Sequence, residues 1–168
     1  MRAVLFSMLF VLVTLAAPIA PAFPQAAAAS ASNSEANYVD IRRYLTGADL
    51  SAWSNVTDRL IRDFDDVCGD TFCEGEYSNI MSLNYRCSVE KNTGIVGRCV
   101  WVFAASNEEI DASNGRILVD TQHWKCRSPL APKTRAADLL RGLDVARPIR
   151  AILPGASQSI YDGLVDCF

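Results

Sequence analysis

Met81-Ser82-Leu83-Asn84-Tyr85-Arg86-Cys87-Ser88-Val89-Glu90, then Lys91-Asn92-Thr93-Gly94, then the run from Ile95 to Ala104, together decide the fold. In the first segment Met81, Leu83, Tyr85, Cys87 and Val89 alternate with Ser82, Asn84, Arg86, Ser88 and Glu90. That period of two is a strand with one dry and one wet face. A three-residue loop, Asn92 to Gly94 with Gly94 in the left-handed conformation, sets Lys91 opposite Ile95 and therefore Cys87 opposite Cys99. The returning segment is apolar on both sides, with Val96, Val100 and Val102 on one and Cys99, Trp101 and Phe103 on the other. A strand dry on both faces belongs in the middle of a sheet.

After the hairpin, a polar loop from Ser106 to the turn dipeptide Asn114-Gly115 leads to a third strand, Arg116 to Arg127, which completes a three-stranded antiparallel meander. Upstream, Ser51 reads as an N-cap for a helix through Trp53, Val56, Leu60, Ile61, Phe64, Val67 and Cys68, ended by Gly69. These residues recur at three- and four-residue steps, the spacing of a core-facing helical stripe. A shorter helix is expected at Tyr38 to Leu45. Downstream of Pro129 and Pro132, helical spacing returns at Ala136, Leu139, Leu140 and Leu143, with Thr134 as cap. A last short helix holds Ile160, Tyr161, Leu164 and Val165 behind Ser157 or Ser159. The chain therefore reads as α+β, with a meander packed against three to four helices.

Cys68, Cys73, Cys87, Cys99, Cys126 and Cys167 form an even set, expected as disulfides that reinforce the fold. Cys87 with Cys99 is the pair the hairpin register favours; Cys167, next to the terminus, is expected to staple the last helix to some earlier cysteine. The start of the chain agrees with an oxidising destination. Met1-Arg2 precedes an apolar run, Ala3 to Ala17, broken only by Ser7 and Thr14. It is shorter than the about 20 residues a span requires, and small residues follow, so it reads as a signal peptide. Cleavage is expected between residues 22 and 32, with 1–31 as signal and low-complexity start and 32–168 as a single domain. The mature protein is then periplasmic or secreted and has no membrane span.

Charge narrows the function classes. Losing Arg2 with the signal leaves fifteen Lys and Arg against nineteen Asp and Glu, a balance that gives no case for nucleic acid. Its distribution is uneven: Asp58 to Glu76 carries seven acidic and two basic residues, whereas Arg116 to Arg150 carries eight basic and three acidic. Mutual neutralisation when the two segments pack is the plain reading, and a partner surface the alternative.

Candidate chemistry is sparse. The one histidine, His123, sits mid-strand beside Trp124 and has no nucleophile or carboxylate assigned to it. Pro154-Gly155-Ala156-Ser157-Gln158-Ser159 lacks the final glycine of a hydrolase elbow. Asp63, Asp65 and Glu74 fall on ligand places of a calcium loop, but Val67 and a late glycine spoil the turn. An irregular calcium site built from Asp65, Asp66, Asp70 and Glu74 is the metal alternative to a solvated loop pinned by Cys68 and Cys73. No catalytic residue and no cofactor is assigned. The expectation is an exported, non-catalytic binding protein with a protein partner in the cell envelope, an inhibitor or immunity-type protein acting on a hydrolase. A small envelope hydrolase using acidic residues of the 63–76 loop and a structural envelope protein are the alternatives.

Overall fold

A computed structural model describes residues 37–168; the signal and low-complexity start at 1–31 lie outside the described residues. The sheet has four strands in the order β1-β2-β3-β4, every neighbouring pair antiparallel. They are β1 (Tyr38–Asp40), β2 (Met81–Glu90), β3 (Val96–Ile110) and β4 (Ile117–Arg127). The helices are α1 (Ile41–Tyr44), α2 (Gly47–Val67), α3 (Ala136–Leu143) and α4 (Ile160–Val165). The fold is therefore α+β, and the expected three strands become four.

The extra strand lies where a helix from Tyr38 was expected. Val39 pairs with Val89 at the edge of β2, and only after Asp40 does the chain coil. Asp40 makes that switch: its carboxylate accepts the Arg42 amide at 2.9 Å, capping α1, and holds Arg86 Nε at 2.7 Å. Three residues are too few to display a period, so propensity alone misassigns the segment.

α2 begins earlier than Ser51. Thr46 precedes its first residue without a side-chain cap bond, and Ser51 lies inside the helix, donating to the Gly47 carbonyl at 3.4 Å. Gly69 does not end it either; the chain widens into a π-helical turn, Cys68–Phe72, closed by the Cys73 amide on the Cys68 carbonyl at 2.7 Å. The expected stripe holds except at Ile61, which is 41 % exposed. Trp53, Val56, Leu60 and Phe64 are fully buried and lie against the inner face of the sheet, with Phe64 and Phe103 ring centroids 4.6 Å apart and Trp53 and Tyr85 5.9 Å apart. Burying each such side chain contributes about 1.5–3 kcal/mol. Leu139, Leu143, Ile149 and Leu164 from the C-terminal part close the same core.

The central hairpin keeps Cys87 opposite Cys99, but by a different route. Glu90 rather than Lys91 faces Ile95, so the turn is one residue wider than expected, and an irregularity between Ser88 and Val89 restores the register. Gly97 is the extra residue of that bulge. The bulge also turns Val96 inward to join Val89 in the core, away from the side shared by Val100 and Val102.

All six cysteines are paired, as Cys68–Cys73, Cys87–Cys99 and Cys126–Cys167. Among the described residues no helix is long and apolar enough to cross a membrane.

Candidate binding face

The carboxylates of the acidic 63–76 segment have different surroundings. Asp63 is buried, and its Oδ2 accepts the Ile149 amide at 3.1 Å, closing the 3-10 turn Pro148–Arg150. Arg147 lies 3.9 Å from Asp63 Oδ1 and 3.4 Å from Asp66 Oδ2, and Arg59 holds Asp144 at 2.6 Å. Arg147 thus brings one cation of the positive segment to two carboxylates of the negative one, whereas the Arg59–Asp144 pair joins the minority charge of each. Asp65, Asp70 and Glu74 point to solvent, and among the described residues no group of three or more His, Cys, Asp or Glu could hold a metal ion. His123 is exposed on β4 opposite Ala104, and among the described residues no hydrogen bond or ion pair orients it. Ser159, not Ser157, caps α4, in a capping box with Asp162 whose carboxyl these bonds hold below the usual carboxylate range.

The uncommitted chemistry lies on the side of the sheet turned away from the helices. Alternation along β3 places Arg98, Val100, Val102, Ala104, Ser106, Glu108 and Ile110 on this side. Register adds Arg86, Val100 and Arg127 as one cross-strand row, Asn84, Val102 and Lys125 as the next, and Ala104 with His123 as a third. At the β1 end a groove of about 640 Å³ opens between Tyr38, Arg43, Arg86, Lys91, Arg98 and Val100. Of its cations only Arg86 is ion-paired among the described residues, to Asp40. One end of the face is therefore basic, and its central strand offers a half-buried apolar floor.

The other end is an arm. β3 and β4 pair without interruption out to Ile110 and Ile117, through residues expected to be loop. Ile110 is 76 %, Ile117 68 % and Val119 60 % exposed. The tip is held by its own polar groups: the Asp111 carboxylate accepts the Ser113 amide, the Ser113 hydroxyl and the Asn114 amide group at 2.9, 2.6 and 2.7 Å. These bonds hold its pKa below the usual range. At the base of the arm Tyr77 donates to Asp120 at 2.5 Å, which with desolvation pushes the phenol up to about 12.

The alternation of β3 and the Asn114-Gly115 turn were both legible, yet they do not give this face. Arg86, Arg98, Lys125 and Arg127 converge only once the β3–β4 register is known, and the expected loop at 106–115 concealed it. No family model matches the chain, and no curated protein and no solved structure matches it either.

Proposed function

We propose that this chain is an exported, non-catalytic binding protein of the periplasm or extracellular space, an inhibitor or immunity-type protein that occupies a hydrolase of the cell envelope. The observation that carries the reading is the side of the sheet that no described element covers, where Val100, Val102 and Ala104 lie between exposed cations and run out to an arm tipped by Ile110 and Ile117. Exposed apolar surface rimmed by charge is what a recognition surface presents. The disulfides hold that surface in one geometry, which lowers the ordering cost of association. Against the hydrolase alternative stands the use of Asp63 and Asp66, which are engaged by Ile149 and Arg147.

The test runs the oxidised mature protein in a peptidoglycan-release assay with envelope extract, beside pull-down from the same extract. Inhibition of release, lost on reversing Arg98 and Arg127 to Glu and retained in Asp70→Asn and Glu74→Gln, is the expected result. Turnover of cell-wall material by the purified protein, abolished by either carboxylate substitution, would establish the hydrolase instead. Neither inhibition nor turnover, with the protein retained in the insoluble envelope fraction, would favour the structural role.

A further inference from the structure

β3 is apolar on both faces, yet the described helices cover only one. Cys99, Trp101 and Phe103 are buried beneath α2, while Val100, Val102 and Ala104 are half-buried by their neighbours' side chains with no described element packed over them. A strand facing water on one side ordinarily carries polar residues there, so this floor is built for something else to cover.

Charge decides what that is. Arg98, Lys125 and Arg127 surround the floor and, among the described residues, form no ion pair, and Arg43 and Lys91 extend the cationic rim past β1. Of the carboxylates on this side, Asp40 is paired with Arg86, Glu90 accepts the Thr93 hydroxyl at 2.6 Å, and Glu108 lies out toward the arm beyond Ala104 and Ser106, so the cations outnumber the carboxylates around the floor. The partner surface must therefore be anionic where it meets the rim and apolar where it meets the floor. Cross-strand rows follow one another at about 6.8 Å along the strands, and an extended peptide presents same-face side chains at the same interval. One side chain per row is thus in reach of Val100, Val102 and Ala104, and guanidinium groups to either side can donate to carboxylates or backbone carbonyls. A sugar polymer would find few hydrogen-bonding groups on the floor itself.

We propose that this face takes an extended acidic segment of a partner protein, laid along β3 with carboxylates against Arg98, Lys125 and Arg127 and apolar side chains on Val100 and Val102. This rests on the binding function proposed above and specifies the chemistry of its partner.

The probes are a labelled peptide of Glu-Ser-Val-Ser repeats, which sets Glu and Val by turns on one face of an extended chain, its counterpart with Lys in place of Glu, polyphosphate, and phosphatidylglycerol vesicles, each offered to the oxidised mature protein. The Glu–Val peptide should bind and shift the methyl resonances of Val100 and Val102. Its affinity should fall at least about tenfold in Arg98→Glu/Arg127→Glu and also when salt is raised from about 0.1 M to about 1 M. The Lys–Val peptide should not bind. The two reversals lie on exposed positions, and Lys125→Glu provides a second, milder variant should the pair perturb folding. No binding of the Glu–Val peptide overturns the proposal. So does polyphosphate or vesicle binding that perturbs Val100 and Val102 while the peptide fails to compete, or a concentration-dependent dimer that buries the same methyls. Hydrolase inhibition that survives loss of peptide binding would remove this assignment and leave the binding function standing; peptide binding without any inhibition would do the reverse.

Discussion

Gly97 has no room for a side chain. A Cβ there would lie 2.9 Å from Ser88 Oγ and 2.9 Å from Tyr38 Cε1. Glycine at the bulge thus lets β1 close over the hairpin. Gly97→Ala should force the half-exposed Tyr38 ring outward and cost about 1–3 kcal/mol, the range for overpacking. Denaturant titration checks the magnitude. Faster hydrogen exchange at the Lys91 amide, which bonds the Asn37 carbonyl at 2.9 Å, checks the mechanism. Unchanged exchange would mean that β1 does not depend on this glycine.

Asp63 makes the opposite case, a polar side chain where the helical stripe should be apolar. Its acceptor is required because Ile149 is fully buried and its amide has no other partner among the described residues. Asp63→Ala should cost about 1–3 kcal/mol by leaving that donor unpaired. Asp70→Asn, on an exposed position of the same acidic segment, should stay within about 0.5 kcal/mol. From sequence alone the two aspartates are equivalent members of one charged run, and only the arrival of Pro148–Arg150 against α2 separates them.

At the scale of elements, what was legible is what short-range pattern encodes. The α2 stripe, the alternation of β2, the β2–β3 hairpin and the two C-terminal helices follow from local period and turn chemistry. The pairing of Cys87 with Cys99 also emerged, although through a turn one residue too short and a bulge not foreseen, each offsetting the other. What failed depends on partners distant in sequence. β1 is a strand only because Val89 is beside it, and residues 106–110 are a strand only because Ile117–Thr121 return along them. The candidate face inherits that limit, since Arg86, Arg98, Lys125 and Arg127 come from three strands.

The disulfides should differ in value by element. Cys126–Cys167 closes a separation of 41 residues and holds α4, six residues long, to β4; Cys68–Cys73 closes a separation of 5 within one turn. In the chain-entropy account the stabilisation grows with the logarithm of the loop. A helix this short is marginal alone. Cys126→Ala/Cys167→Ala should therefore lower stability by about 2–5 kcal/mol and loosen Phe168, whose ring centroid lies 5.1 Å from those of both Phe103 and Trp124. Cys68→Ala/Cys73→Ala should cost less. Paired unfolding curves rank them, and an inverted order would locate the stabilisation in the π-helical turn.

For the whole molecule, ionisable groups at opposite ends of the pH scale bracket stability. Tyr85 is buried against Trp53 and Trp101, and desolvation pushes its phenol above the ordinary value, with the hydrogen bond to Ser128 at 2.9 Å opposing. A folded-state pKa above the unfolded one means the neutral form is favoured in the fold. That contribution is fully present below the unfolded value of about 10 and is lost as pH rises toward the folded value. Asp162 has the reverse sign: the Ser159 amide and hydroxyl lower its pKa, so its contribution holds above about pH 4 and disappears as pH falls through the folded value. Since Asp162 caps the helix tied by Cys126–Cys167, its protonation should loosen the C-terminal helix first, whereas ionisation of Tyr85 opens the core under α2. Denaturation midpoints across pH should accordingly fall at both extremes. In Tyr85→Phe the alkaline limb should flatten and the acid limb persist; in Asp162→Asn the acid limb should weaken and the alkaline limb persist. An alkaline limb unchanged by Tyr85→Phe would place the high-pH instability elsewhere, first at Tyr77, whose bond to Asp120 ties the segment before β2 to the base of the arm.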